Sequence, residues 1–221
     1  MLKFPCLVLD HDETVVQTEQ NMGYPFFIEI LKDLRPGQTV TLQDYVYDCH
    51  QIGFVEMCRK RFGFTTDELQ NEHQQWDAYS KIHIPEIYPG IDRIIRRQKA
   101  LGGLICVVSH SHHDIILRDY QVHFGIVPDA IYGFELPPEK RKPAQFPLLD
   151  IMERFTLKAE DILVVDDAKL GCQMADPLGV KVAFPGWSKI GFDIISQEMA
   201  QACTYSFQTP EELENFLFSA D

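Results

Sequence analysis

The chain has 221 residues, of which 45% are hydrophobic and 24% charged, with 15 Phe. That composition excludes a disordered chain and suits one well-buried domain, or a core domain carrying a smaller insert. Lys and Arg number 20 against 33 Asp and Glu, a formal net charge of -13, so the overall field repels phosphate backbones and anionic lipid surfaces. No nucleic-acid or membrane partner is expected, and any phosphate site must be marked by a metal ion or by particular Lys and Arg residues. The six cysteines (Cys6, Cys49, Cys58, Cys106, Cys172, Cys203) form no CxxC pair and read as free thiols of a reducing compartment. The opening segment has neither a signal-peptide pattern nor an apolar run long enough to span a bilayer, so a cytoplasmic protein is expected.

In chain order, Cys6-Leu7-Val8-Leu9 is a continuous apolar run ending abruptly on Asp10, the pattern of a strand buried on both faces whose carboxyl end reaches a polar surface. Residues 16–88 offer helical patterns, with caps at Thr41/Asp44 and Thr65/Glu68, but no comparable apolar strand. This stretch reads as a helical insert whose aromatic residues, among them Tyr24, Phe26, Phe27, Tyr45, Tyr47 and Phe54, form its own core. Pro89-Gly90 marks its end. Ile91, Ile94, Ile95, Gln98 and Leu101 then make a mostly apolar helical stripe that Gly102-Gly103 terminates.

Leu104 to Val108 is a second strand, running into Ser109, and Ser111 with Asp114 reads as a capping box opening a helix to about Phe124. Lys142 precedes Pro143 and another helix. Ile162 to Val165 runs into Asp166-Asp167, Val180 to Phe184 runs into Pro185-Gly186, and Thr209-Pro210-Glu211-Glu212 opens the last helix. Alternating strand and helix predicts an α/β fold: a Rossmann-like parallel sheet with helices on both faces, in which ligands bind outside the carboxyl ends of the strands. Residues 1–15 and 89–221 are expected to form this core, with 16–88 as a small all-helical domain inserted after the first strand.

The polar residues at those strand ends carry the chemistry. Asp10 and Asp12 lie two apart at the end of an extended run, so one carboxylate can attack while the other waits beside a leaving group. Carboxylates that close need a shared cation or a shared proton. Asp166-Asp167 adds two more, and hard oxygen donors without His or Cys at ligand spacing suit Mg²⁺. His110, His112 and His113 lack the helical spacing of a zinc pair. Ser109 offers a hydroxyl and backbone amides near a helix start, an anion-binding arrangement, and Lys142 a fixed positive charge.

Taken together and in this order, Asp10, Asp12 and Thr14, then Ser109, then Lys142 with Pro143, then Asp166 and Asp167, the chain resembles the haloacid dehalogenase superfamily over nearly its whole length. It looks most like the phosphatase branch with an N-terminal helical cap. The resemblance implies that Asp10 is a nucleophile forming an aspartyl-phosphate and that Asp12 is the acid that later activates water. It implies that Ser109, His110 and Lys142 bind phosphate, and that Asp10, the backbone carbonyl of Asp12, Asp166 and Asp167 ligate Mg²⁺. Residues 16–88 would be the cap that selects a small phosphorylated metabolite. Glu13 stands where most capped members carry Gly, Gln17-Thr18 replace a frequent Asp-Ser, and His110 replaces the usual Asn. A phosphatase of the phosphoglycolate-phosphatase kind is expected. A sugar-phosphate mutase resembling β-phosphoglucomutase shares the same core, and a catalytically silent phosphometabolite-binding protein is the third reading. Oligomeric state is not legible.

Overall fold

All four apolar runs of the sequence become strands at the centre of one sheet. The structure is a computed structural model and describes residues 2–219. In chain order the elements are β1 (Cys6–Leu9), α1 (Tyr24–Leu34), α2 (Leu42–Ile52), α3 (Phe54–Phe62), α4 (Thr66–Ile82), α5 (Ile91–Ala100), β2 (Leu104–Val108) and α6 (His113–Phe124). They continue with β3 (Ala130–Tyr132), α7 (Phe146–Phe155), β4 (Ile162–Val165), α8 (Lys169–Ala175), β5 (Lys181–Pro185), α9 (Asp193–Ala202), β6 (Tyr205–Phe207) and α10 (Pro210–Phe218). The strands pair in the order β3-β2-β1-β4-β5-β6, every neighbour parallel. The outermost strands were not anticipated, because three residues are too few for a hydrophobic run to stand out.

The sheet is buried on both faces because its strands are apolar throughout. Leu7, Leu9, Ile105, Val107, Leu163 and Val165 pack with Ile94 and Ile95 of α5, Ile116 and Tyr120 of α6, and Leu213 and Leu217 of α10. The intervening residues Cys6, Val8, Cys106, Val108, Ile162 and Val164 point the other way and are equally inaccessible. This is the Rossmann-like fold expected. All six cysteines are free. Among the described residues no helix is long and apolar enough to cross a membrane.

Two local expectations are corrected. Leu101 is not part of the buried stripe of α5; it lies one residue past the helix and is 58% exposed. Gln98, by contrast, is buried. Its Nε2 donates to the carbonyls of Phe4 at 2.9 Å and Pro5 at 3.2 Å, tying α5 to the chain leading into β1. A side chain at position 103 would meet Gln98 Nε2 at 2.3 Å, which is why glycine follows the helix there. The second correction concerns α6, which exists as expected but lacks the Ser111/Asp114 capping box. Glu135 takes that place, its carboxylate accepting from the His113 amide at 3.1 Å, while the Ser111 hydroxyl points elsewhere.

Gln17–Glu86 forms a compact unit of its own, distinct from the one built around the sheet. Its helices start where the sequence places caps: Thr41 accepts from the Asp44 amide, and Thr65 and Glu68 make a reciprocal capping box. Phe27, 1% exposed, is its centre, with ring centroids of Tyr45, Phe54, Phe62 and Phe64 at 5.4 to 6.2 Å. Tyr47 is 40% exposed and lies outside that core. Arg35 closes α1 by a two-pronged bond to Glu68 at 2.8 and 2.9 Å.

Replacing Gln98 with Ala removes the donor to the Phe4 carbonyl, while the Pro5 carbonyl keeps the Leu104 amide at 2.8 Å. A loss of about 1–3 kcal/mol is expected, read from the midpoint of urea unfolding.

Candidate active site

The sheet places the site by extending its ladders one residue past the strands. Leu9 lies opposite both Val107 and Val165. Beyond them, the Asp10 amide donates to Val165 at 2.9 Å, the Asp166 amide to Ala183 at 3.2 Å and the Ser109 amide to Tyr132 at 3.0 Å. Asp10, Ser109 and Asp166 therefore leave the sheet side by side at its carboxyl edge.

Lys142, carried on the loop before α7, closes the group. Its Nζ lies 2.9 Å from Asp10 Oδ2 and 2.9 Å from Asp166 Oδ2, and the lysine is only 5% exposed. Burial alone would push the ammonium pKa down, but the two carboxylates overcome it and hold it above its ordinary value. Asp10 is held well above the usual carboxylate range, first by burial, against the pull of Lys142, and then by repulsion from Asp166, Asp167 and Asp12. Asp166 is raised first by burial, against the pull of Lys142, and then by repulsion from Asp167. One oxygen each from Asp10, Asp166 and Asp167 lies within 4.8 Å of the other two. Three buried carboxylates crowded in this way fit a hard divalent cation that takes oxygen donors.

Asp12 stands apart from that trio. Its Oδ2 accepts from Ser111 Oγ at 2.5 Å and lies 3.4 Å from Ser109 Oγ, which itself accepts from the Ser111 amide at 3.1 Å. Ser111 was read as a helix cap and is instead the residue that orients Asp12. Its signal in the sequence was proximity to Ser109, which capping logic absorbed. His110, expected at the phosphate, commits its Nε2 to the Lys142 carbonyl at 3.0 Å and so ties the Ser109 loop to the backbone that carries the lysine.

Sequence reasoning also missed Lys189. It sits on the short turn Gly186–Lys189 after β5, is 4% exposed, and pairs with Asp167 Oδ2 at 3.0 Å. A single Lys behind a Trp has no motif, so only the fold reveals it. Nearby, Trp187 is packed inside and its Nε1 donates to the Thr14 carbonyl at 3.2 Å. At Gly171 of α8 an added Cβ would sit 2.5 Å from the Asp166 side chain, so only glycine lets that helix approach.

The turn between the two N-terminal aspartates is held from behind and from the side. His11 is buried, its Nε2 3.1 Å from Asp119 Oδ2, and Asp119 in turn accepts from Arg118 at 2.7 Å. Glu13 adopts φ 55°, a left-handed conformation that most side chains avoid, and its Oε2 accepts from the Tyr88 hydroxyl at 2.6 Å. Tyr88 follows Ile87, which bridges Val16.

With this geometry in view, the family model described as haloacid dehalogenase-like hydrolase matches residues 7–184, and the chain belongs to that family. Among individual relatives, a Caldanaerobacter subterraneus protein named as a pyrophosphatase, PpaX, is 21% identical over 202 residues, covering 89% of this chain and 88% of its own. The structure of a predicted phosphoglycolate phosphatase from Haemophilus somnus superposes with a TM-score of 0.75 at 20% identity, covering 98% and 99% of the two chains. CbbY of Rhodobacter sphaeroides, solved with xylulose-(1,5)bisphosphate, gives 0.71 at 16% identity over 96% of each chain.

Asp10 and Asp166 hold their protons more tightly folded than unfolded. The stability this confers is present below the ordinary carboxylate pKa and is lost as pH rises through the raised values. In the metal-free protein at neutral pH, Asp10→Asn should therefore raise the melting temperature, by about 2–4 °C for each kcal/mol of repulsion relieved. Calorimetry in the presence of a chelator reads the effect, and an unchanged or lower melting temperature would refute it.

Proposed function

We propose that the protein is a Mg²⁺-dependent phosphatase that hydrolyses a small phosphomonoester through an aspartyl-phosphate on Asp10. The observation that carries this reading is the buried Lys142, shared at 2.9 Å by Asp10 and Asp166 at the carboxyl edge of the sheet. It pairs a nucleophile with a fixed positive charge where a phosphoryl group would lie. Uncatalysed phosphomonoester hydrolysis is so slow that rate enhancements approach ~10²¹, so electrostatic stabilisation of the transferring group has to supply much of the effect. The names of the structural relatives, two of which refer to phosphorylated compounds, point the same way.

In this reading an Asp10 oxygen attacks phosphorus in line with the leaving alkoxide, and the protonated Asp12 carboxyl hands that alkoxide its proton. Asp12, now ionised, takes a proton from the water that attacks the phosphoaspartate, which frees Asp10 and releases phosphate. Ser111 holds Asp12 in place for both transfers. Ser109 and Lys142 bind the phosphoryl oxygens, and His110 anchors the backbone of Lys142. Asp10, the carbonyl of Asp12, Asp166 and Asp167 would hold Mg²⁺, which supplies charge neutralisation at the phosphoryl oxygens. Lys189 fixes Asp167. The Gln17–Glu86 unit serves as the cap that selects the substrate.

A phosphate-release screen over phosphorylated metabolites tests the reading. At least one ester should turn over, Asp10→Asn should lower its rate by at least about 10³-fold, and a chelator should silence the enzyme reversibly. No release from any ester would sink it. Ser111→Ala should lower kcat by about 10–10²-fold with little change in KM, because the acid is misplaced while substrate contacts remain. Mg²⁺ added to the metal-free protein should also release protons, since a cation ionises carboxyls whose pKa the site has raised. Calorimetry in buffers of different ionisation enthalpy detects this.

A further inference from the structure

Six acidic residues are buried among the described residues: Asp10, Glu13, Glu72, Asp119, Asp166 and Asp167. Five have partners: Lys142 for Asp10 and Asp166, Tyr88 for Glu13, His11 and Arg118 for Asp119, and Lys189 for Asp167. Glu72 of α4, 7% exposed, has neither a hydrogen bond nor an ion pair among the described residues. A buried carboxylate with no partner is costly, and native folds keep few without a use for them.

Glu72 faces a cavity of about 170 Å³ that lies wholly within the Gln17–Glu86 unit. Its walls are mostly aromatic, with Gly23 and His73 completing the lining. Trp76, one helical turn beyond Glu72 on the same face of α4, meets Phe26 edge-on at 5.4 Å, and Tyr45 meets Phe54 at 6.5 Å. Phe27, which does not line the cavity, packs against Tyr45 and Phe54 at 5.4 and 5.6 Å. Four ring systems around one carboxylate form a box whose faces attract positive charge and whose single anion supplies the counter-charge. One carboxylate among rings has too few oxygen donors for a metal ion.

We propose that this cavity is a binding site for a quaternary alkylammonium group, with Glu72 as its counter-ion and Phe26, Tyr45, Phe54 and Trp76 as its aromatic walls. The site stands independently of the phosphoryl chemistry, and binding to it is read without turnover.

The environment of Glu72 gives the pocket a pH dependence. Burial first, and then repulsion from Asp77 on the same helix, push the Glu72 carboxyl up to about 7. His73 and Asp77 on α4, Tyr45 on α2 and Cys58 on α3 are the other titratable groups around it, and none of them ion-pairs with it. A cation binds the ionised form. Its affinity should be constant above the Glu72 pKa and fall by about tenfold per pH unit below it, as protons compete.

Choline is the probe, and its neutral isostere, with carbon in place of the quaternary nitrogen, is the control. Titration calorimetry on the full chain should show saturable choline binding in mildly alkaline buffer and at least about tenfold weaker binding of the isostere. Glu72→Gln should weaken choline binding to the level of the isostere and abolish the pH dependence, and Trp76→Leu should weaken it with the carboxylate intact. Equal binding of choline and isostere, or choline binding unchanged in Glu72→Gln, would overturn the proposal. Folding gives an independent check. Because Glu72 has no structural partner to lose, Glu72→Gln should melt at or above the wild-type temperature, and a marked drop would make Glu72 a structural group instead.

Discussion

Lys142 and the carboxylates around it set the terms for the rest of the structure. Asp10 and Asp166 occupy adjacent strand ends because a parallel sheet in register puts them there, and the same register forces two negative charges into a space from which water is excluded. One ammonium, 2.9 Å from both, makes the arrangement tolerable without neutralising it. Much of what lies near the carboxyl edge can be understood as holding that compromise in place. His110 anchors the lysine's backbone, Gly171 gives Asp166 room, Lys189 quiets Asp167, and the Ser109-Ser111 pair draws Asp12 aside. The residual negative charge suits the site to a hard divalent cation.

The two compact units use opposite strategies for their buried acids. In the sheet-based unit every buried carboxylate is paired, several of them by residues more than 20 positions away in sequence, such as His11 with Asp119 and Lys189 with Asp167. The helical unit pairs the half-buried Glu68 with Arg35 and leaves its one buried acid, Glu72, among rings. Pairing everywhere else makes the exception informative, because it shows that this chain can supply partners when a carboxylate needs them only for stability.

What could be read from the sequence follows from how local each signal was. The four central strands were legible because strands buried on both faces must be continuously apolar, and the caps at Thr41 and Thr65 because they are encoded within four residues. β3 and β6 were not, since three-residue edge strands owe their existence to neighbours already in place. At the site, Asp10, Ser109 and Asp166-Asp167 stand where apolar runs end abruptly in polar residues, Asp12 is marked by its spacing from Asp10, and Lys142, inside a charged run, only by the Pro143 and helix that follow it. Ser111 was misread because the same hydroxyl is a good helix cap and a good carboxylate ligand, and only the three-dimensional position of Asp12 decides between them. Lys189 and the His11–Asp119 pair are products of topology and leave no local trace.

The contact between Glu13 and Tyr88 carries a consequence for how such a chain can change over generations. A backbone at φ 55° is normally the province of glycine; here a glutamate occupies it, fastened by a phenol 75 positions further along. Loss of the phenol alone would take from a bulky acid in an unfavourable conformation the 2.6 Å hydrogen bond that holds its carboxylate, and loss of the acid alone would take that acceptor from the half-buried phenol. The two sites are therefore bound in epistasis, and a lineage that exchanges one is under pressure to exchange the other. Across relatives, glutamate at the first position and tyrosine at the second should travel together, so that the pair records descent more faithfully than either residue alone.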